Sequence, residues 1–303
     1  MKALAAKYQL EKVVAEGGMG RVYKARRKSD GKIVAIKVLH ESLQHDQRFR
    51  ALMDREAQAL TTAAHPCVVG LLDQGEADGL PYLVLEWLEG RTLRQVLDED
   101  GPPSLAKIWR LMDGLLAALQ WVHSRGVVHA DLKPENLMLT AGGKLVLIDF
   151  GVASVGRLAP AWPGEVCGTP GYLAPEALTG APPPISADVY AAGAILFELL
   201  TGQAPFAGSV TEIIHQQLGH APPRASSLRN GRHEAIDHVV ERALARRPQD
   251  RYASALELRG ALMLALSGRR RGAAPGGRAI ASAPTIRLRR RGAGMAAVAM
   301  VWG

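Results

Sequence analysis

Two nearby segments contain the side chains best suited to do chemistry. Amide and carboxylate oxygens are the ligands that a hard cation such as Mg²⁺ prefers, and substrate phosphates commonly complete its coordination. A further carboxylate nearby can orient or deprotonate a hydroxyl nucleophile. The first segment supplies Asp131, Lys133 and Asn136, and the second supplies Asp149. Together these residue types suit metal-assisted chemistry at a hydroxyl group.

The sequence between the two segments predicts the element that brings them together. Leu137–Leu139 and Leu145–Ile148 are short apolar runs joined by a polar turn that contains glycine. Such a pair of runs predicts a β-hairpin, and a hairpin places its two outer ends side by side. Asn136 and Asp149 should therefore approach each other. A solvated polar loop would explain the turn but not the placement of every polar group.

The order Asp, Lys, Asn and then Asp-Phe-Gly is highly specific, and it resembles the catalytic loop and metal-binding motif of the protein kinase family. The resemblance implies ATP and Mg²⁺ as cofactors. It implies that Asp131 orients the acceptor hydroxyl and accepts its proton, and that Lys133 stabilises charge on the γ-phosphate. Asn136, also part of the catalytic loop, and Asp149 would hold Mg²⁺.

A glycine-rich stretch lies upstream, between predicted strands at Tyr8–Glu16 and Arg21–Arg26. Glycine lets the backbone approach a phosphate closely, with amides exposed as donors. The stretch resembles the kinase loop that covers the phosphates, although Ala15 stands where the family has its first glycine. The residues that the resemblance assigns to the nucleotide here are Val14, Ala15, Gly17, Gly20 and Val22.

An apolar predicted strand, Ile33–Val38, carries Lys37 at the family spacing from this loop. The resemblance implies that Lys37 pairs with the α and β phosphates of ATP, held by Glu56 of a predicted helix at Gln47–Thr62. Leu85 would guard the pocket behind adenine. The other residues that the resemblance places around adenine are Ala35 and Met138 by apolar contact and Glu86 and Leu88 through their backbone groups.

The predicted fold is α+β and bilobal, like that of protein kinases. We expect a small β-rich lobe with one main helix at about residues 8–88 and a larger, mostly helical lobe at about residues 89–266. The further predicted elements are strands Val68–Asp73 and Tyr82–Trp87 with a turn at Gly75–Pro81, helices Leu105–Arg125 and Ala255–Leu266, and a central helix that includes Ala194–Leu200.

Two more polar residues have supporting roles that the resemblance implies. Asp188 would bond the backbone of the catalytic loop from below. Arg251 would pair with Glu176 of an Ala-Pro-Glu motif. A buried pair of this kind holds geometry without adding much net stability.

The segment from Asp149 to Glu176 resembles the kinase activation segment. Its only serine and threonine residues are Ser154 and Thr169. Most family members have an arginine before the catalytic aspartate, where it pairs with activation-loop phosphate, whereas this chain has Ala130. We infer that activity does not depend on activation-loop phosphorylation in the usual way.

The net charge of +8 belongs to the C-terminal tail. Residues 268–303 contain eight arginines and no acid, which leaves 29 basic and 29 acidic residues in the rest of the chain. This distribution argues against a nucleic-acid-binding domain. We expect residues 267–303 to be disordered, and their basic and apolar end to be where a membrane surface could make contact. The apolar end itself is too short to cross a bilayer.

Cellular location is predicted from a few further features. Cys67 and Cys167 lie far apart with no ligand spacing around them, which fits a reducing compartment. Met1–Lys12 lacks the apolar core of a signal peptide. We therefore expect a cytoplasmic protein that could associate with a membrane through its tail.

The interpretation is a serine/threonine protein kinase of the bacterial eukaryotic-like type, because Lys133 follows Asp131 as in the Ser/Thr form of the catalytic loop. One alternative is a pseudokinase that binds nucleotide without transferring phosphate. Another is a small-molecule kinase on the same fold, against which the activation segment argues. Glu135 could favour basic residues near the acceptor hydroxyl. The sequence predicts neither the substrate protein nor the activating signal nor the oligomeric state.

Overall fold

A β-sheet dominates the N-terminal lobe and helices dominate the C-terminal lobe, in agreement with the predicted bilobal α+β fold. The predicted tail lies outside the described part of the chain except for Ser267, and so does Cys167. The computed structural model describes residues 2–151, 153–155, 169–179, 183–228 and 234–267.

The N-terminal lobe is organised around five antiparallel strands in the order β1-β2-β3-β5-β4. A short helix precedes the sheet and one long helix packs against it. The elements are α1 (Lys2–Lys7), β1 (Tyr8–Glu16), β2 (Gly20–Arg27), β3 (Ile33–Leu39), α2 (Gln47–Thr62), β4 (Leu71–Ala77) and β5 (Leu80–Glu86).

Helix α2 forms as predicted because its ends and its faces are both specified locally. The Asp46 side chain accepts a hydrogen bond from the amide of Arg48 and caps the first turn. Apolar residues recur at spacings of three and four, so one stripe of the helix faces the core. Glu56 lies within that stripe and is buried, and Leu60 points into the core as predicted.

The predicted boundaries of β4 were wrong. The strand runs from Leu71 to Ala77, so the expected turn at Gly75–Pro81 is reduced to Asp78 and Gly79. Both turn residues have positive φ, of 53° and 81°. This is the geometry of a two-residue type I′ hairpin, which favours an Asp-Gly pair.

The apolar residues that suggested an earlier start for β4 have a different role. Val68 forms a parallel bridge to Leu147, and the amide of Val69 donates to the Leu147 carbonyl at 2.9 Å. Val68 and Val69 are buried. Their hydrophobicity therefore serves the contact with Leu147 of the C-terminal lobe rather than the five-stranded sheet.

The C-terminal lobe is mostly helical. Three short strands form a second sheet in the order β6-β8-β9, and β7 pairs with β10. The elements are β6 (Gly90–Thr92), α3 (Leu93–Asp100), α4 (Leu105–Ser124), β7 (Val127–Val128), β8 (Leu137–Thr140), β9 (Leu145–Leu147), β10 (Ser154–Val155), α5 (Ile185–Thr201), α6 (Val210–Gly219), α7 (Ala225–Leu228), α8 (Glu234–Ala243) and α9 (Ala255–Leu266).

Helix α5 is the core of this lobe. Every residue from Ala187 to Leu200 is buried, which explains why its sequence is apolar on all sides. In the described residues, no helix combines the length and the apolar character needed to cross a membrane.

The Arg251–Glu176 pair is confirmed. The two guanidinium Nη atoms of Arg251 donate to the two carboxylate oxygens of Glu176 at 2.6 and 2.7 Å. The same guanidinium donates to the carbonyls of Ala245, Ser186 and Arg246. Several donors of a buried arginine are thereby satisfied, as such a charge requires.

The packing of α5 against α8 generates a stability prediction. A Cβ added at Gly193 would lie 2.7 Å from the Cβ of Ala243, closer than two carbon atoms can approach. We expect Gly193→Ala to lower the free energy of unfolding by about 1–2 kcal/mol through overpacking, measured by urea denaturation.

Gly260→Ala is the matched control. Gly260 also lies inside a helix, and a Cβ there meets nothing within 4 Å. It should raise the free energy of unfolding by about 0.5–1 kcal/mol through helix propensity. Equal stability of the two variants would show that the α5–α8 contact does not require glycine.

Candidate active site

The predicted hairpin places the two polar segments together. Strands β8 and β9 pair antiparallel, and the amide of Ile148 donates to the carbonyl of Asn136 at 2.9 Å. Asp149, the next residue, has a φ of 59°, in the left-handed region that only a few non-glycine residues adopt. The start of β8 and the end of β9 are thus adjacent, as expected.

A buried ion cluster joins β3, α2 and the end of β9. The Lys37 ammonium nitrogen lies 2.9 and 2.7 Å from the two carboxylate oxygens of Glu56 and 3.0 Å from Oδ1 of Asp149. The side chains of Lys37 and Glu56 are 5% and 1% exposed and are shielded from water, whereas that of Asp149 is 21% exposed. One ammonium is thus shared by two carboxyl groups.

The protonation of this cluster follows from burial and mutual attraction. Burial opposes the charged form of Lys37, but the carboxylates of Asp149 and Glu56 outweigh it and raise the pKa of the ammonium. Burial alone would raise the pKa of Asp149, yet Lys37 holds that pKa below its ordinary value. Burial raises the pKa of Glu56, against the attraction of Lys37. Lys37 and Asp149 are therefore charged.

The catalytic-loop residues form a second group. The Asn136 side-chain amide donates to the backbone carbonyl and to Oδ2 of Asp131, at 2.8 and 3.1 Å. The Lys133 ammonium lies 3.3 Å from the same Oδ2 and donates to the Thr169 hydroxyl at 2.8 Å. Burial raises the pKa of the Asp131 carboxyl, and the Lys133 charge opposes that shift. A buried carboxylate of this kind can act as a base.

The loop is held from α5 as predicted. The carboxylate of Asp188 accepts hydrogen bonds from the amides of His129 and Ala130, each at 2.9 Å, and its Oδ2 lies 2.7 Å from His123 Nε2. Burial opposes ionisation of Asp188, but these contacts hold its pKa below the ordinary value. Ala130 has a φ of 66°, which costs an L-residue roughly 1–2 kcal/mol. The two charge-assisted bonds offset that strain.

The donor set suits Mg²⁺. The described residues include no group of three or more His, Cys, Asp or Glu side chains that could hold a metal ion. The two candidate ligands are the Asp149 carboxylate and the side-chain carbonyl of Asn136, whose amide nitrogen is already engaged by Asp131. Mg²⁺ is commonly bound by one or two protein oxygens together with substrate phosphates.

The glycine-rich loop is closed by its own backbone and by a histidine. The amide of Gly17 donates to the carbonyl of Gly20 at 3.0 Å. His40, just after β3, donates its amide to the Met19 carbonyl, and its Nε2 lies 2.8 Å from the Gly17 carbonyl oxygen. A Cβ at Gly20 would lie 2.1 Å from the carbonyl oxygen of Val38, so only glycine fits there. The sequence contained no signal for the part played by His40.

The remaining residues that were predicted to contact the nucleotide lie on β1 to β3, at and just after the end of β5, and on β8. Val14 is a bulge residue of β1 and is 41% exposed, and the exposed Ala15 pairs with Val22. Ala35 pairs with Leu85 on β5 and is half-buried, as are Val22, Leu88 and Met138. Partial exposure of these apolar residues is compatible with a ligand covering them.

The structure distinguishes the two residues, Glu86 and Leu88, whose backbone groups were predicted to bond adenine. The amide of Glu86 donates to the carbonyl of Gly70 at 2.8 Å. A ligand could therefore bind this amide only by breaking an existing bond. Leu88, the other of these two residues, is half-buried and packs against the larger hydrophobic core.

Comparison with known proteins agrees with this arrangement. The model of the protein kinase domain matches residues 8–260, which is most of the chain. The chain belongs to the protein kinase family. The motifs that carry the resemblance all lie within the matched residues.

Curated relatives of the kinase domain come from several bacteria. It is 36% identical over 283 residues to serine/threonine-protein kinase pkn3 of Myxococcus xanthus and 35% identical over 273 residues to PknB of Mycobacterium tuberculosis H37Rv. These alignments cover 89% and 86% of this chain but 52% and 43% of the relatives. The chain therefore spans about half the length of these relatives.

The Lys37 cluster generates a binding prediction. With an amide in place of the Glu56 carboxyl group, one of the two oxygens that accept from Lys37 is lost and the ammonium is drawn towards Asp149, the carboxylate that Mg²⁺ also needs. Glu56→Gln should therefore weaken Mg²⁺-ATP binding by about tenfold, measured by titration calorimetry. Asp54→Asn, on the exposed side of the same helix, should leave the affinity unchanged. Equal affinities of the two variants would show that the ion pair does not position nucleotide.

Proposed function

We propose that the chain is a serine/threonine protein kinase that transfers the γ-phosphoryl group of ATP to hydroxyls of protein substrates. The observation that carries the proposal is the joint position of Asp131, Lys133 and Asn136 in a protein where Lys37 and the half-buried Asp149 form an ion pair. The names of the relatives, all serine/threonine-protein kinases, support the same activity.

The proposed roles follow from charge and position. Asp131 orients the acceptor hydroxyl and takes its proton on a carboxylate whose pKa burial has raised. Lys133 stabilises charge on the transferred phosphoryl oxygens. Lys37, fixed by Glu56, positions the α and β phosphates. Little covalent chemistry falls to the protein, so positioning and electrostatics provide most of the rate.

Mg²⁺, when bound, neutralises charge between the β- and γ-phosphates. Asn136 and Asp149 would hold it through one amide oxygen and one carboxylate. The charge of the Asp149 carboxylate, which shares the Lys37 ammonium with Glu56, favours a cation beside it.

A protein acceptor is supported by the end of the activation segment. Thr169 accepts a hydrogen bond from Lys133, which links this segment to the catalytic loop. The side-chain amide of Gln217 on α6 donates to the carbonyls of Pro170 and Leu173 at 2.8 and 3.1 Å. Residues on both sides of the segment thus hold a surface on which a peptide could lie.

We also propose that any contact with an anionic membrane surface is made by residues 268–303. Their eight arginines provide the charge for it.

Transfer of labelled phosphate from Mg²⁺-ATP to a generic basic protein tests the proposed function. Asp131→Asn should lower the rate at least about a hundredfold while ATP binding is retained, because only the base is lost. Lys37→Met should lower both the rate and ATP binding. Asp54→Asn and Lys32→Met change exposed residues of the same types and serve as matched controls.

Two outcomes would contradict the proposal. Wild-type protein that binds ATP but transfers no phosphate would be a nucleotide-dependent binding module. Transfer to small hydroxyl compounds without transfer to any protein would indicate a small-molecule kinase.

A further inference from the structure

A second charged cluster lies beside the catalytic loop and is not used in the proposed reaction. Its centre is the Arg94 guanidinium on α3. Nε donates to Glu135 at 3.0 Å, Nη1 to Asp98 at 3.1 Å, and Nη2 to Glu198 and to the Tyr172 hydroxyl at 2.6 and 2.9 Å. The Tyr172 hydroxyl in turn donates to Glu198 at 2.5 Å. These five residues are called the Arg94 cluster below.

The members of the Arg94 cluster differ in their need for a partner. The side chain of Glu198 is 4% exposed, whereas that of Glu135 is 44% exposed. A buried carboxylate without a cation is strongly unfavourable. Burial and the charge of Glu198 raise the pKa of Tyr172, which keeps its hydroxyl protonated as a donor. Glu198 therefore needs a cation at this position.

The Arg94 cluster borders the path of an acceptor peptide. Glu135 follows Asp131 by four positions in the catalytic loop. Tyr172 follows Thr169 by three positions, and Thr169 is bonded to Lys133. A peptide that lies along the end of the activation segment with its hydroxyl at Asp131 would then run beside Glu135 and Tyr172, both of which are bonded to Arg94.

Glu135 and Glu198 together form a site with the charge and geometry for one guanidinium. Arginine binds such carboxylates through its planar fork of donors. An arginine of a substrate could occupy this site in a chain that lacked Arg94. In this chain Arg94 already occupies the site. Its guanidinium partly neutralises the charges of Glu135 and Glu198.

We propose that Arg94 is a specificity-determining residue that fills an acidic subsite for the acceptor peptide. It removes the selection for basic side chains that Glu135 alone would suggest. The kinase would then take serine or threonine segments that carry uncharged residues at this subsite. The inference rests on the proposed function, since it concerns the acceptor of that reaction.

The test compares wild type with Arg94→Leu on threonine peptides. One peptide has only alanine around the threonine, and each of the others carries a single arginine at one position. Wild type should use all of them with values of kcat/KM that agree within about threefold. Arg94→Leu should prefer arginine at one position by about tenfold or more, because Glu135 and Glu198 have lost their internal cation.

Three further variants separate specificity from structure. Arg94→Gln keeps a donor for Glu198, so it should fold even where leucine fails, and it should show the same preference. Adding Glu135→Gln to Arg94→Leu should remove most of the gained preference. Arg91→Leu is the matched control, since Arg91 is an exposed arginine nearby that pairs with Glu99 and Asp100. It should behave like wild type.

Peptide binding provides a measurement independent of catalysis. By fluorescence anisotropy, the arginine peptide should bind Arg94→Leu or Arg94→Gln about tenfold more tightly than it binds wild type. The same affinity for all three proteins would overturn the inference, even if wild type transferred no phosphate. An equal loss of kcat/KM on every peptide would also overturn it, because Arg94 would then only position Tyr172. A tenfold preference of wild type for a peptide that carries arginine would overturn the inference as well.

Discussion

The contact between the Lys37 ammonium and the carboxylates of Glu56 and Asp149 is the interaction on which the rest of the active site depends. It ties a strand and a helix of the small lobe to the end of β9. A buried charge is tolerated only with close partners, so the three elements that carry these residues have little freedom to move independently. The Asp149 carboxylate stays ionised and shares the Lys37 ammonium with Glu56, which is the electrostatic reason why a cation should bind beside it.

The catalytic loop depends on a second buried charge. Asp188 on α5 binds two loop amides and allows Ala130 to hold a left-handed backbone conformation. Asp149, which lies just after β9, has a left-handed backbone conformation as well. Strained residues persist where the surrounding structure over-determines them. The support for Ala130 comes from α5, a helix that is buried along nearly all its length.

The sequence was sufficient wherever local pattern and function coincide. The hairpin, the Lys37–Glu56 pair and the Asp188 support were predicted and found. The β4 boundary was wrong because buried Val68 and Val69 resemble a strand start, although the Asp78-Gly79 pair carried the correct turn signal. The Arg94 cluster was not predicted, since the contacts of Arg94 with Glu135, Tyr172 and Glu198 join residues 41, 78 and 104 positions apart. Only the tertiary fold brings such residues together.

Contacts within the chain also hold the described end of the activation segment. Lys133 binds Thr169, and Arg251 binds Glu176, while Ala130 offers no cation for a phosphate group. We therefore infer that the active site is complete in the unmodified chain. The most direct test of this inference compares the initial transfer rate of protein freed of phosphate, verified by mass spectrometry, with that of the autophosphorylated form. We expect the two rates to agree within about threefold, which corresponds to a difference of under about 1 kcal/mol in activation free energy. A loss of tenfold or more on phosphate removal, reversed by autophosphorylation, would contradict it.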